Sequence, residues 1–352
     1  MKVRISKKIP FDNTKNILIR GTNWIGDAVM TLPAVAAIRN TFPEARISIL
    51  AKPWVAEIFH LCKDVDEVIL FQSPGVHSGI AGKLRLAKEL REKRFDIAIL
   101  LQNAIEAAII TWLAGIPIRA GYNSDGRGTL LTHSVQRTEA IRKVHQIEYY
   151  LEMVKSLGCV SAETRVKLSP GTEYEILLKK LLDRFSIGKE GLVIGLAPGA
   201  SYGPAKKWFP ERFAAVADRL VDGLSAQAVL FGSSEDRKST DLVEQNAQHQ
   251  LINLAGKTSL KETIAIISRC GLFISNDSGL MHIAGALNIP TVAVFGSTNP
   301  VTTSPVGDKN VVIYKGASCS PCLKEICPTD FRCMDMIGVE EVVENAKRLL
   351  KK

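Results

Sequence analysis

The sequence has few aromatic residues, no long apolar run and no common nucleic-acid-binding pattern. Phe, Trp and Tyr make up 6% of its 352 residues. It has no helix-turn-helix signature and no paired zinc-ligand spacing, which disfavours a nucleic-acid-binding protein. It contains no run of about 18 uncharged apolar residues, so we expect no membrane-spanning helix. The basic first residues are not followed by an apolar segment typical of a signal peptide, which predicts a cytoplasmic protein.

Positive charge is in excess, with a formal net charge of +9. This excess favours an anionic partner. The three candidates are nucleic acid, a phosphorylated small molecule and an anionic membrane surface. The segment KLRLAKELREKR (83–94) contains six of the basic residues. Its simplest interpretation is the solvated face of an amphipathic helix, and charge alone does not choose among the partners.

The chain length and the alternation of residue patterns predict two α/β domains. A chain of this length suggests two domains of about 150 residues each. Short β-rich runs alternate with helical patterns, which predicts βαβ units and parallel sheets covered on both faces. We expect two Rossmann-like doubly wound domains facing a cleft, with a boundary near Pro170. The expected domains are 1–170 and 171–334, followed by a C-terminal helix (335–352) that packs back on the first domain.

Strands and helices are predicted at defined positions in both halves. The predicted strands are 16–20, 47–50, 68–71, 96–100, 192–197, 227–231, 251–254, 272–275 and 291–295. The predicted helices are 28–41, 83–94, 210–221, 236–248, 260–269 and 278–287. In open α/β sheets ligands bind at the carboxyl ends of the strands, so the motifs that follow strands are candidate sites.

The first such motif is GTNWIGDAVMTLP (21–33). Gly21 and Gly26 have the spacing of a P-loop, but Asp27 and Ala28 replace its Lys and its Ser or Thr. A carboxylate at this position would repel a phosphate. Asp27 is therefore either a helix N-cap or a general base beside the cleft. The fingerprint GxGxxG is absent, which disfavours a dinucleotide-dependent oxidoreductase.

The second motif, GASYGPAKKW (199–208), follows the first predicted strand of the second domain. A loop of Gly, Ser and Pro with two lysines can hold a diphosphate through backbone N–H and ammonium groups. The candidate donors are Ser201, Lys206 and Lys207. An ordinary surface turn is the alternative interpretation.

The third motif, NDSGLMHIAGAL (276–287), lies at a predicted strand-to-helix junction. Asp277, Ser278 and Gly279 begin the helix, where free N–H groups and the helix dipole attract phosphate. His282 follows Ser278 by four residues and falls on the same helical face. Asp277 can accept hydrogen bonds from sugar hydroxyls and His282 can reach a phosphate. A plain N-cap and a core or surface histidine are the alternatives.

A fourth motif, FGSSEDR (231–237), also follows a predicted strand. A carboxylate in this position of a doubly wound domain often binds ribose hydroxyls. Asp236 or the adjacent Glu235 can fill this role, and a helix cap is an equal alternative.

Seven cysteines divide into two groups. Cys62, Cys159 and Cys270 are solitary in apolar segments and are expected to be small buried hydrophobic residues. The others lie in CSPCLKEICPTDFRC and are Cys319, Cys322, Cys327 and Cys333. Four thiolates this close can hold zinc or an iron–sulfur cluster. The second pair is not CxxC, so unligated thiols or a redox-labile disulfide remain alternatives.

The order and spacing of the four motifs resemble those of the ADP-heptose lipopolysaccharide heptosyltransferases. The resemblance runs from about residue 16 to residue 296. GPAKKW and the Ser after Asp277 are more similar to the second type of heptosyltransferase than to the first. The resemblance implies an inverting GT-B glycosyltransferase that needs no cofactor for catalysis. It also implies an ADP-L-glycero-D-manno-heptose donor, a lipopolysaccharide core acceptor (lipid A–Kdo–heptose), and peripheral contact with the anionic inner membrane at its cytoplasmic face.

The resemblance also assigns roles to individual residues. Asp27 matches the proposed catalytic base of the family. The donor-binding matches are Lys206 for the diphosphate, Asp236 for the ribose, Thr258 near the adenine, and Asp277, Ser278, Gly279 and His282 around the phosphates and the donor sugar. The family supplies no role for the four clustered cysteines, so they are expected to be peripheral to the chemistry.

Two other function classes remain open at this point. One is another GT-B nucleotide-sugar transferase or epimerase with a different donor. The other is a basic nucleic-acid-binding protein, which the missing signatures disfavour.

Overall fold

The computed structural model describes residues 2–5, 9–160 and 166–351. The chain divides into two compact units, Met1–Val166 and Lys167–Lys352. Each unit is built on a largely or wholly parallel β-sheet with helices between the strands, so the predicted α/β class is confirmed. Among the described residues, no helix has both the length and the apolar character needed to cross a membrane.

The first unit contains a seven-stranded sheet in the order β1-β7-β6-β5-β2-β3-β4. All neighbouring strands are parallel except β1, which is antiparallel to β7 at one edge. Its strands are β1 (Val3–Ile5), β2 (Asn16–Arg20), β3 (Arg46–Ala51), β4 (Glu67–Leu70), β5 (Ile97–Leu100), β6 (Ile118–Asn123) and β7 (His133–Gln136). Its helices are α1 (Ile25–Thr41), α2 (Ala56–His60), α3 (Gly79–Glu92), α4 (Ile105–Leu113) and α5 (Gln146–Ser156).

The second unit contains a six-stranded parallel sheet in the order β10-β9-β8-β11-β12-β13. Its strands are β8 (Val193–Ala197), β9 (Gln227–Leu230), β10 (Ile252–Asn253), β11 (Leu272–Asn276), β12 (Thr291–Phe295) and β13 (Asn310–Tyr314). Its helices are α6 (Thr172–Phe185), α7 (Pro210–Leu224), α8 (Arg237–Asn246), α9 (Leu260–Ile267), α10 (Gly279–Ala286), α11 (Pro300–Thr303), α12 (Arg332–Asp335) and α13 (Val339–Leu350).

The central strands are buried along their whole length. Every residue of β8, β11 and β12 is buried, as expected for a parallel sheet covered on both faces. The C-terminal helix α13 packs on this sheet and on α7 within the second unit. Its buried Val342, Val343 and Ala346 are spaced as an amphipathic helix requires. Helix α13, which sequence analysis assigned to a segment outside both domains, is therefore part of the core of the second unit.

Several elements were missed by the sequence patterns. Strand β6 contains an Arg, a Gly and an Asn among its six residues, and β7 is HSVQ, so neither has a continuous apolar run. Strand β13 and the helices α4 and α5 were also not predicted. The predicted helix 28–41 begins earlier, at Ile25. Whether these segments form strands or helices depends more on their contacts with the rest of the fold than on their local sequence propensity.

Candidate functional site

The candidate donor residues lie in four loops at one edge of the second sheet. The loop with Ser201 and Lys206 follows β8, Asp236 follows β9, Thr258 follows β10 and Asp277 follows β11. These strands are neighbours in the order β10-β9-β8-β11 and are parallel, so their carboxyl ends share one edge. This edge is where open α/β sheets bind ligands.

A buried ion pair occupies the centre of this edge. Lys206 Nζ lies 2.7 Å from Asp277 Oδ2, and the two side chains are 16% and 5% exposed. Lys206 Nζ also lies 5.4 Å from the centroid of the Tyr202 ring. Removing one member of such a pair is costly because the other charge is left buried alone. The pair therefore keeps the Lys206 ammonium group beside the start of α10.

The neighbouring lysine points elsewhere. Lys207 Nζ donates a hydrogen bond of 3.0 Å to Ser239 Oγ on α8. The structure thus gives the two lysines of this loop different partners. Lys206 is directed to Asp277, and Lys207 fixes the loop to a helix.

Asn276, which the sequence analysis did not single out, ties the loops together. Its side chain is fully buried. Its Oδ1 accepts a 3.0 Å hydrogen bond from the Trp208 backbone N–H, and its Nδ2 donates one of 2.8 Å to the Pro198 carbonyl. A buried amide must satisfy both its donors and its acceptor, so it fixes the ends of the loop that contains Lys206 relative to β11. An Asn at the end of an apolar strand was the signal in the sequence that could have identified this residue.

Asp236 has a capping role in this structure. Its Oδ2 accepts hydrogen bonds from the Ser233 backbone N–H (3.0 Å) and hydroxyl (2.8 Å), completing a capping box. Its carboxyl group also packs on Gly199, where an added Cβ would lie 2.2 Å from the Asp236 carboxyl carbon. The carboxylate is therefore adjacent to the lysine-containing loop, and a ribose contact remains a prediction.

The residues at the start of α10 form a compact group. Ser278 is the N-cap residue but makes no side-chain cap hydrogen bond. Its hydroxyl instead lies 2.9 Å from the hydroxyl of Ser275. Gly279 is the first helical residue, and His282 is buried with 2% of its surface exposed. The phosphate contacts predicted for these residues remain predictions.

The two outer candidates differ in exposure. Thr258 is half-buried directly before α9, and its hydroxyl lies 2.9 Å from that of Thr263. Ser201 is exposed in the turn after β8. Their predicted donor contacts also remain predictions.

Asp27 lies in the first unit, in the first turn of α1. It is the third residue of the helix, and Trp24 is the N-cap residue, so the N-cap interpretation of Asp27 is wrong. The Tyr150 hydroxyl on α5 donates a 3.3 Å hydrogen bond to Asp27 Oδ1. Burial and the nearby Asp27 carboxylate raise the pKa of Tyr150 well above its ordinary value. Tyr150 therefore stays a neutral donor that orients the carboxylate.

The four clustered cysteines surround one cavity of about 190 Å³. Cys333 is buried, Cys322 and Cys327 are half-buried and Cys319 is exposed. The Phe331 backbone N–H donates to Cys327 Sγ at 3.3 Å. Over the described residues, no group of three His, Cys, Asp or Glu side chains is arranged to hold a metal ion. Metal binding by these cysteines remains a prediction.

The segment that contains these cysteines (319–333) contacts the lysine-containing loop. The Glu325 carbonyl accepts a 3.0 Å hydrogen bond from the Ala205 N–H, and the Leu323 carbonyl accepts one of 2.9 Å from the Tyr202 hydroxyl. A Cβ at Gly203 would lie 2.4 Å from the Glu325 carbonyl oxygen, so the close approach requires glycine. Spacing along the sequence did not reveal this support.

Comparisons with known proteins identify the family of this chain. The model of glycosyltransferase family 9 (heptosyltransferase) matches residues 83–331. The chain belongs to this family. It is also 32% identical over 310 residues to lipopolysaccharide heptosyltransferase 2 of Escherichia coli (strain K12), covering 84% of this chain and 87% of the relative.

Solved structures of the family show the same fold. The E. coli ADP-heptose lipopolysaccharide heptosyltransferase II has a TM-score of 0.80 and 28% identity, covering 96% of this chain and 98% of its own. A glycosyltransferase family 9 structure from Veillonella parvula has a TM-score of 0.85 and 24% identity, covering 98% of this chain and 99% of its own. The chain is thus a glycosyltransferase with two Rossmann-like units.

The part of the chain matched by the family model includes all four candidate loops and most of the cysteine segment. It begins after Asp27, so the family match by itself says nothing of that carboxylate. Tyr150 lies 123 residues from Asp27 in the sequence, and no local pattern could have joined them.

Proposed function

We propose that this glycosyltransferase transfers L-glycero-D-manno-heptose from ADP-heptose to the heptose of the lipopolysaccharide inner core. The observation that carries the proposal is the buried Lys206–Asp277 ion pair at the carboxyl edge of the second sheet. The names of the similar proteins support the donor and the acceptor, because they are heptosyltransferases of lipopolysaccharide and one is named for ADP-heptose.

The donor diphosphate binds at the ion pair in this proposal. Lys206 supplies an ammonium group, and the first turn of α10 supplies backbone N–H groups and the positive end of the helix dipole. Asp277 is then placed to accept hydrogen bonds from sugar hydroxyls. In the same proposal, Asp236 contacts the ribose and Thr258 lies near the adenine. The phosphates are contacted by Ser201, Ser278, Gly279 and His282.

Asp27 is the general base of an inverting reaction in this proposal. An acceptor hydroxyl forms a bond to the anomeric carbon while the bond to the ADP oxygen breaks, and Asp27 takes the hydroxyl proton. The Tyr150 hydroxyl donates a hydrogen bond to Asp27 Oδ1 and orients the carboxylate for this step. The charge of the departing diphosphate is met by Lys206 and the α10 terminus, so the step does not require a metal.

The remaining parts of the proposal concern cofactor, partner and location. Four thiols around one cavity suit zinc or an iron–sulfur cluster in a structural role, and elemental analysis of protein purified without chelator tests this directly. A lipid-linked acceptor places the enzyme at the cytoplasmic face of the inner membrane, in peripheral contact with anionic lipid.

Mass spectrometry of donor turnover with defined truncated lipopolysaccharides tests the function. We expect ADP release and a mass gain of one heptose on an acceptor that ends in heptose, and none on an acceptor that lacks it. Matched reactions with UDP- and GDP-sugars control for donor choice. Conversion of the donor without any acceptor would instead indicate an epimerase and contradict the proposal.

A further inference from the structure

Two neighbouring helices of the first unit expose a row of large apolar side chains. On α3 the row contains two residues one turn apart, and on α4 it contains three residues at positions i, i+4 and i+7, which lie on one helical face. We call this set the α3–α4 face. Its members and their exposed fractions are Ile80 (80%), Leu84 (52%), Ile105 (42%), Ile109 (38%) and Trp112 (53%).

The two helices are held side by side, so the two rows adjoin. Near the helix starts, Lys83 Nζ lies 2.8 Å from Glu106 Oε1. Near the helix ends, the Arg91 guanidinium donates a 2.5 Å hydrogen bond to the Leu113 carbonyl. These contacts align α3 and α4 in parallel. Soluble monomers rarely expose apolar side chains in a contiguous group, and such groups mark binding surfaces.

Basic residues continue the α3 row toward the end of the helix. Lys88 follows Leu84 by four residues, so it lies on the same face of the helix. Arg85 directly follows Leu84 in the sequence. The side chains of Arg85 and Lys88 are both exposed. The segment 83–94 contains six basic residues and two acidic ones, a net charge of 6 − 2 = +4. One of the acidic residues, Glu89, contacts His77. Long basic side chains can lay their stems along apolar surface and keep their charges in the headgroup layer.

The position of the α3–α4 face fits a partner that presents the acceptor. Helices α3 and α4 follow β4 and β5, and α1 follows β2, so all three begin at the carboxyl edge of the first sheet. Asp27 lies in the first turn of α1, and Ile80 and Ile105 lie in the first turns of α3 and α4. The apolar face therefore starts at the same edge as the proposed base.

We propose that the α3–α4 face docks the protein on an anionic lipid bilayer. Apolar side chains with a Trp enter the boundary between headgroups and acyl chains, and Arg85 and Lys88 meet the lipid phosphates. The charge of the segment selects a bilayer over a second copy of this chain, because two copies would bring like charges together. The inference rests on the proposed function only in that a lipid-linked acceptor explains why docking is useful.

Vesicle sedimentation with the full chain tests the docking. We expect binding to phosphatidylcholine vesicles that contain phosphatidylglycerol, weaker binding to phosphatidylcholine alone, and weakening by salt. The double variant I109S/W112S should lower vesicle affinity by about tenfold or more, because it removes two apolar anchors. The variant I80S/L84S should act in the same direction, and R85Q/K88Q should weaken the preference for anionic vesicles.

A matched control and a second readout make the outcome decisive. Ile176→Ser removes an isoleucine of the second unit whose exposed fraction (54%) is close to that of Trp112 (53%), and it should not change vesicle binding. All variants should keep the Tm of the wild-type protein and its turnover of a deacylated, soluble acceptor. Unchanged vesicle binding in the α3–α4 variants would overturn the docking inference. So would analytical ultracentrifugation that shows a wild-type dimer converted to monomer by I109S/W112S.

Failure of the proposed function has a different signature. If the wild-type protein does not turn over the soluble acceptor but still binds anionic vesicles through this face, the docking inference stands and the heptosyl transfer falls. If the wild-type protein turns over the soluble acceptor normally and the α3–α4 variants do not change vesicle binding, the heptosyl transfer stands and the docking inference falls.

Discussion

Asp27 can be tested for its proposed catalytic role by a substitution that preserves its shape. Asp27 is the third residue of α1 rather than its N-cap residue, and the Tyr150 hydroxyl donates a hydrogen bond to its carboxylate. Asp27→Asn keeps the shape of the side chain and removes the base. We expect turnover at saturating acceptor to fall by about 100-fold or more, with donor affinity and Tm nearly unchanged.

Steady-state kinetics with calorimetry of ADP binding measure this effect. Glu148→Gln is the control, because Glu148 is the acidic residue in the first turn of α5 in the same unit. That control should retain wild-type turnover. An Asp27→Asn enzyme with most of its turnover would place the base elsewhere.

The two adjacent lysines provide an internal comparison for donor binding. Lys206→Ala removes the cation beside Asp277 and leaves that carboxylate buried without its partner, where it would repel the diphosphate. ADP affinity should fall by about 10- to 100-fold, as expected for a lost charged hydrogen bond. Lys207→Ala removes only the contact to Ser239 and should change ADP affinity much less. Isothermal titration that shows the opposite order would transfer the diphosphate role to Lys207.

Single residues were predictable where a motif contained them and unpredictable where a distant partner defined them. Lys206 and Asp277 were each found in a loop after a strand, but their ion pair joins motifs 71 positions apart. Asp236 shows the limit of such reasoning. Its position after a strand is consistent with both a ribose contact and a cap, and only the coordinates show the capping box.

At the scale of elements, Gly203 sets how closely the cysteine segment approaches the lysine-containing loop. Gly203→Ala would place a methyl group 2.4 Å from the Glu325 carbonyl oxygen, so one of the two backbones must move. We expect weaker ADP binding, measured by calorimetry, with a smaller effect on turnover at saturating donor. Gly171→Ala is the control, because a Cβ there has no neighbour within 4 Å among the described atoms. Equal ADP affinity in both variants would show that the contact is unimportant.

Cys327 should differ in reactivity from the three solitary thiols. Burial alone would raise the pKa of Cys327, but hydrogen bonds from Thr329 and Phe331 bring it below its ordinary value. Burial raises the pKa of Cys62 and Cys159 to about 11 and that of Cys270 to about 12. A lower pKa means more thiolate at about pH 7, so Cys327 should alkylate at lower pH than the other three.

Peptide mass spectrometry after brief iodoacetamide treatment across a pH series measures this order. The denatured protein is the control, because all seven thiols should then react alike. Early alkylation of Cys270 in the folded protein would contradict the buried position.

Prediction of the elements succeeded where apolar runs were continuous. Strands β2 and β12 were predicted at their observed bounds, since each has a continuous apolar stretch and has a neighbouring strand on both sides. Strands β6 and β7 have polar residues, and their pairing in the sheet supplies what local pattern does not. The contact between 319–333 and the loop after β8 joins segments far apart in sequence, so no periodicity could reveal it.

At the scale of the whole molecule, the proposed donor residues all belong to the second unit and the proposed base to the first. Hydrogen exchange of the full chain with ADP should therefore show protection in the loops after β8, β9, β10 and β11. The first turn of α1 should remain unprotected by ADP alone. Inosine diphosphate, which changes only the base, is a control that should retain protection near the start of α10 and lose it near Thr258. Protection confined to the first unit would overturn the assignment of the donor site.

The overall fold followed from the alternation of strand and helix patterns over the chain. That alternation identifies parallel sheets because their crossovers require helices, and the two sheets are confirmed. The strand order within each sheet and the packing of α13 on the second unit come from long-range contacts that composition does not encode.

The hydrogen bond from Ala205 to the Glu325 carbonyl also has a practical consequence for work with this enzyme. The lysine-containing loop contacts a segment with four cysteines, so air oxidation of these thiols would disturb the proposed donor site. Samples stored without reductant should then drift in KM for the donor while kcat stays constant. Variation of this KM between batches would then reflect how far the thiols have been oxidised and not a difference in folding.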